Sequence, residues 1–170
     1  MIIGIGTDII EIERVRRAFG SEHFKKKVFT ENERNYCESR GVQSAASYAA
    51  RFAAKEAFFK ALGTGIFTSL TEVEVLNNAS GQSQIFLSGN AKTFAENLGV
   101  KNIFVSLSHC REYATAFVIL SNWTLFQWEL WLSQAFSTRR GMAVEWALIL
   151  EVKATELFKI EVGKFKAILI

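Results

Sequence analysis

The first 120 residues of this 170-residue chain predict an α+β domain, a small antiparallel sheet packed with one long helix. Three observations carry that expectation. Ser44 to Leu62 is an alanine-rich helical segment ending at Gly63. Glu72–Leu76 and Gln84–Leu87 read as two short strands around Asn77-Asn-Ala-Ser-Gly, the material of a hairpin turn. Further apolar runs at 2–8, 103–108 and 114–120 read as strands.

In order along the chain, Ile2 to Asp8 is an apolar run containing Gly4 and Gly6, a buried strand delivering Asp8 to an edge. Glu11 to Phe19 places Ile12, Val15, Arg16 and Phe19 at helical spacing, with Thr7 or Asp8 as its cap. Thr30-Glu-Asn-Glu is a capping box, because Glu33 follows Thr30 by three residues; the helix it opens runs to about Cys37 and stops at Gly41. After the long helix and the hairpin, Ser88 to Leu98 is a helix stopped by Gly99. Ile103–Ser108 alternates Phe104, Ser106 and Ser108 against Val105 and Leu107, and Ala114–Leu120 follows as its neighbour. Beyond residue 120 the composition changes. All four tryptophans, Trp123, Trp128, Trp131 and Trp146, lie there, and 121–170 reads as an extension of two or three helices with Gly141 between two of them.

Apolar residues make up 49% of the chain, which excludes a disordered protein. A net charge of +3 gives no reason to expect nucleic acid as a partner. Its distribution says more. From Arg14 to Lys27, Arg14, Arg16, Arg17, Lys25, Lys26 and Lys27 face a single acid, Glu22, so this stretch should attract an acidic partner or phosphates. Cys37 and Cys110 have no CxxC or zinc spacing and read as reduced thiols of a cytoplasmic protein. Between Tyr113 and Thr138 the only charge is Glu129, but Ser121, Asn122, Thr124 and Gln127 interrupt the run, so a membrane span is not expected.

The segment RFAAKEAFFK at 51–60 sets four charges among alanines and phenylalanines. Glu56 and Lys60 are four apart and share a helix face, which fits an ordinary ion pair as well as a ligand site. Phe52, Phe58 and Phe59 leave little solvated face, and Gly63-Thr64-Gly65 follows as a turn whose backbone can approach a ligand. Asp8 is either a helix cap or a ligand. With Glu56 it could hold Mg²⁺, which takes one or two protein carboxylates and completes its shell with water and substrate phosphates. His109 ends a strand, either as a structural histidine or as a phosphate donor and proton donor near neutral pH. No HExxH or compact zinc spacing joins these residues.

Three stretches, GIGTDIIEIERV, RFAAKEAFFKALGTGI and SLSHCREYATAFVI, resemble in order and spacing the signatures of holo-(acyl carrier protein) synthases, the small bacterial-type phosphopantetheinyl transferases. The resemblance covers residues 1 to 120 and does not extend to 121–170. It implies the 4′-phosphopantetheinyl transferase fold and transfer of the 4′-phosphopantetheine arm of coenzyme A to a serine of apo acyl carrier protein. That reaction serves fatty acid synthesis, depends on Mg²⁺ and releases adenosine 3′,5′-bisphosphate. It implies Asp8 and Glu56 as metal ligands, Glu56 also helping to activate the serine, Lys60 at the diphosphate, and His109 beside the coenzyme; these four are the implied catalytic residues. Arg51, Lys60, Gly63, Thr64, Gly65, Ser108 and His109 would line the coenzyme site, with Lys55 beside Arg51 facing the nucleotide or a neighbouring subunit. Arg14, Arg17, Phe24 and Lys25 would meet the carrier protein. The implied assembly is a homotrimer with sites between subunits.

The chain departs from the family pattern in Phe59, where a serine is common, in Ser83 in place of a proline, and in the long extension. Two other readings compete: a non-enzymatic module that binds carrier protein through the basic helix, and a membrane-associated protein that uses the tryptophan-rich extension at a lipid interface.

Overall fold

The computed structural model describes residues 1–123; the expectations for the extension, its helices, its tryptophans and its place as a separate domain fall outside the described residues. The elements are β1 (Ile2–Glu11), α1 (Ile12–Ala18), α2 (Glu22–Val28), α3 (Glu31–Ser39), α4 (Ser44–Leu62), β2 (Val73–Asn77), β3 (Ser83–Leu87), α5 (Gly89–Asn97), β4 (Asn102–His109) and β5 (Tyr113–Ser121). Among the described residues two antiparallel sheets form, one ordered β1-β5-β4 and one β2-β3 hairpin. The α+β expectation holds. Among the described residues no helix is long and apolar enough to cross a membrane, and Tyr113–Ser121 of the suspect apolar run is strand.

α4 is the spine. Its alanines favour helix and keep it thin, and it is buried on nearly all sides. Gly63, at φ 76°, ends it in the left-handed conformation, its N–H donating to Lys60 O and the Thr64 N–H to Phe59 O. Two apolar clusters form around it. One joins Phe58, Phe59 and Leu62 to Val73, Val75, Val118 and Leu120; the other joins Val15, Phe19, Phe29 and Tyr48. Phe59 belongs wholly to the first cluster, so no polar residue is needed there.

β1 lies against α4 with almost no side chain between them. A Cβ on Gly4 would stand 1.9 Å from Ala61 O, and one on Gly6 would stand 1.9 Å from Ala57 O. Glycines two apart on a strand share a face, and alanines four apart on a helix share one, so the two small-residue rows interlock. Asp8 follows Gly6 on that same face.

The structure corrects the first strand. It runs on to Glu11, so Asp8 sits within β1, paired with Ala116 of β5, and does not cap α1. Glu11 takes the cap position without a side-chain bond. A β5 partner is available for every residue from Gly4 to Glu11, and continued pairing outweighs a local cap. α2 is an additional helix over the basic stretch, which has no clear apolar period to announce it. The capping box at Thr30 is present in both directions, with the Glu33 N–H on Thr30 Oγ1 and the Thr30 N–H on Glu33 Oε2.

Candidate functional site

Asp8, Glu56 and Lys60 meet where β1 crosses α4. Lys60 Nζ donates to Asp8 Oδ1 at 2.8 Å; the aspartate is 15% exposed and the lysine 51%. Helical side chains lean toward the helix N-terminus, so the lysine stem reaches back along α4 to the strand. The main chain of Asp8 is fixed by the β5 ladder and by Thr115 Oγ1 donating to Asp8 O at 2.9 Å. Glu56 is half-buried. Burial, and then the Asp8 charge, push its carboxyl above the usual 4.5, while Lys60 pulls the other way. Two carboxylates that repel one another and share a single ammonium form a site of spare negative charge.

Of the two readings of the Glu56–Lys60 spacing, the ordinary helix pair does not form: Lys60 bonds to Asp8, far away in the same chain. Gly63, Thr64 and Gly65 are exposed one turn beyond Lys60. They lie at the partially negative end of α4, where the helix dipole does not favour an anion.

Ser108 and His109 are exposed at the end of β4. The register puts Asp8, Ala116 and Leu107 in one cross-strand row and Ile10, Ala114 and His109 in the next row on the same face. Two strand spacings and one row separate the Cα atoms of Asp8 and His109 by about 12 Å. One chain therefore holds His109 at the rim and not within bonding distance of the carboxylates.

Arg51 and Lys55 are corrections. Arg51 is 3% exposed, stacks on Tyr36 at 4.1 Å, and donates to Val75 O, Ser47 O and Asn77 Oδ1. Lys55 and Glu33 are wholly buried, with Lys55 Nζ donating to Glu33 Oε2 at 2.7 Å, Val28 O at 2.8 Å and Leu70 O at 2.9 Å. Both cations are spent inside the chain, because each finds enough internal acceptors to offset desolvation. Arg51 therefore belongs to the framework and not to the nucleotide site.

The basic surface is also redistributed. Lys25 pairs with Glu22 at 2.7 Å and lies over the Tyr48 ring, Phe24 stacks on Phe19, and Glu13 takes both Arg16 and Arg17. Sequence reasoning also missed Gly4 and Gly6 as site-building residues. Their signal was present: a Gly-x-Gly strand against Ala57 and Ala61 four apart.

Residues 4–118 match the model of the 4′-phosphopantetheinyl transferase superfamily. The chain belongs to that superfamily. It is 52% identical over 121 residues to the holo-[acyl-carrier-protein] synthase of Ruminiclostridium cellulolyticum, covering 69% of this chain and 90% of the relative. Over 116 residues it is 47% identical to the corresponding synthase of Dehalococcoides mccartyi, covering 67% and 94%. The crystal structure of the Bacillus anthracis holo-(acyl-carrier-protein) synthase in complex with CoA (3′,5′-ADP) aligns with a TM-score of 0.59 and 37% identity, over 71% of this chain and 96% of that one. The Helicobacter pylori synthase in complex with coenzyme A aligns with a TM-score of 0.61 and 27% identity, over 69% and 99%. Superfamily membership makes the chain a transferase, and the cluster at the β1–α4 crossing lies within the matched region.

Proposed function

We propose that the chain transfers 4′-phosphopantetheine from coenzyme A to a serine hydroxyl of an apo acyl carrier protein, as holo-(acyl carrier protein) synthases do, for fatty acid synthesis. The observation that carries this reading is the meeting of Asp8, Glu56 and Lys60 at one crossing. The donor set fits Mg²⁺: two hard carboxylate oxygens crowded by their own charge, on a site open enough for water and phosphate oxygens. When bound, that ion would offset charge on the diphosphate oxygens.

The chain's own residues supply the rest. The serine oxygen bonds to the phosphorus bearing the pantetheine arm, the bridging P–O bond breaks, and adenosine 3′,5′-bisphosphate leaves with the bridging oxygen. Lys60 Nζ, on a half-exposed stem, can reach a non-bridging oxygen of that diphosphate. Its charge counts most where charge builds up during in-line transfer. Glu56, with a carboxyl held above the usual range, is suited to take the serine proton directly or through water. Gly63, Thr64, Gly65 and Ser108 line the approach, and His109 contacts the coenzyme from the rim.

The outer face of the β1-β5-β4 sheet supports assembly of several copies. Ile5, Ile9, Phe104 and Phe117 are exposed on it, and register sets Ile5, Ile119 and Phe104 in one cross-strand row. We read this face as the contact of the homotrimer, which would bring one copy's rim to another's carboxylates. On the basic surface Arg14, beside Ile9 and Tyr113, is the residue best placed to meet an acidic carrier protein, with Arg17, Phe24 and Lys25 flanking it.

The test mixes the full chain with coenzyme A, Mg²⁺ and apo acyl carrier protein. Mass spectrometry should show the carrier gaining about 340 Da, with the gain lost on chelation of the metal. An unmodified carrier, shown competent with a known synthase, would refute the reading. Binding of carrier without mass gain would favour the non-enzymatic module instead.

A further inference from the structure

Lys60 has two destinations. Its ammonium is bonded to Asp8 Oδ1 at 2.8 Å, on the carboxylate assigned above to the metal. The same ammonium is assigned to the coenzyme diphosphate. A carboxylate oxygen that accepts a short bond from an ammonium is a poorer ligand for a divalent cation, and an ammonium held by a carboxylate is less available to phosphate. The lysine stem is half exposed, so it can swing between the two without moving α4. Glu56, on the same helix one turn away, carries the repulsion of Asp8, offset in part by the Lys60 charge.

We infer that Lys60 is the element that couples metal and coenzyme occupancy: a divalent cation on Asp8 displaces the ammonium, which then becomes available to the diphosphate, so each ligand favours the other through one side chain. This deepens the reading above and rests on it. It assigns Lys60 a positioning and coupling role as well as contact with the diphosphate. By linkage the coupling is reciprocal: whatever factor coenzyme A adds to cation affinity, the cation adds to coenzyme affinity. The lysine therefore opposes one single binding event and favours the other. Cation binding alone must break the Asp8–Lys60 bond, so the lysine should weaken it. Coenzyme binding alone should gain from the lysine.

The test measures Mn²⁺ binding to the full chain by electron paramagnetic resonance, with no carrier present and therefore no turnover. Wild type, Lys60→Met and Lys60→Gln are compared, each with and without saturating coenzyme A. Measurements are made at about 0.5 M KCl, where the Debye length of about 4 Å screens distant charges and leaves direct competition in place. Mn²⁺ alone should bind both variants about threefold or more tightly than wild type. The factor by which coenzyme A improves Mn²⁺ affinity should be smaller in the variants than in wild type. Mn²⁺ affinity unchanged by the substitutions, or a coupling factor equal to that of wild type, would overturn the inference and leave the metal site standing. No Mn²⁺ binding to wild type even with coenzyme A would overturn the metal reading itself, and the coupling with it.

Discussion

Lys60 Nζ and Asp8 Oδ1 stand 2.8 Å apart across 52 residues of chain. The pair ties the middle of β1 to the last turn of α4, and with Glu56 it gathers two acids and one cation at a single crossing. If these acids hold the metal, Asp8→Asn and Glu56→Gln should each lower kcat/KM by about 100-fold or more. Arg14→Ala should instead raise KM for carrier protein with kcat preserved, and should flatten the salt dependence. Steady-state kinetics with carrier varied at two salt concentrations separates the cases, and wild-type rates in both carboxylate variants would refute the metal assignment.

Glu56 should be a site of traded stability. Burial and the Asp8 charge raise its carboxyl above 4.5, so the fold prefers the protonated form. That preference is fully expressed below the unfolded value and disappears as pH rises through the raised one, so ionised Glu56 destabilises the fold at neutral pH. Glu56→Gln should therefore raise Tm at pH 7 while lowering turnover as stated above. The gain should shrink toward pH 4, where wild type carries the proton; about that pH the two melting curves should converge. Thermal melts from acid to neutral pH test this, and a pH-independent difference would contradict it.

Gly6→Ala should damage both fold and site. Its Cβ would lie 1.9 Å from Ala57 O, a backbone atom that cannot yield without moving α4 or β1. A cost of about 2–3 kcal/mol is expected from overpacking, with a disproportionate loss of kcat because Asp8 retreats from Glu56 and Lys60. Gly20→Ala is the control, since its Cβ would meet Arg17 O at an ordinary 3.6 Å. Urea unfolding alongside kinetics gives both quantities.

Lys55→Met should destabilise without any specific kinetic signature. Burial lowers the lysine's proton affinity and Glu33 restores part of it, so each charge depends on the other. Removing the lysine strands Glu33 in the interior at about 3–5 kcal/mol. Adding Glu33→Gln should recover part of that loss, because the amide oxygen can still accept from the Val75 N–H that now donates to Glu33 Oε1 at 3.0 Å. Urea midpoints of the single and double variants decide, and a neutral Lys55→Met would refute the buried-pair account.

Segments with strong local signals were readable before folding. Gly63 ends α4 because only a left-handed residue fits there, Thr30 caps α3 through residues three apart, and the Asn77–Gly81 turn closes β2 on β3. α2 and the last third of β1 were not readable, since the first lacks an apolar period and the second depends on a β5 partner more than a hundred residues away. Arg51 and Lys55 were misread for a related reason. A charge in an apolar helix signals either a ligand or a buried partner, and their partners Asn77, Val75, Glu33 and Leu70 lie in other segments.

The sequence alone determined where the chain turns and where its helices stop, because helix spacing, caps and glycine stops act over a few residues. It also carried the three stretches by which the family resemblance was recognised. The tertiary structure alone decided that Lys60 bonds to Asp8 and not to Glu56, and that two of the four charges in RFAAKEAFFK are interior. Those outcomes depend on how closely β1 can approach α4 and on which distant acceptors reach a buried cation, and both are settled only when segments far apart in the chain are packed together.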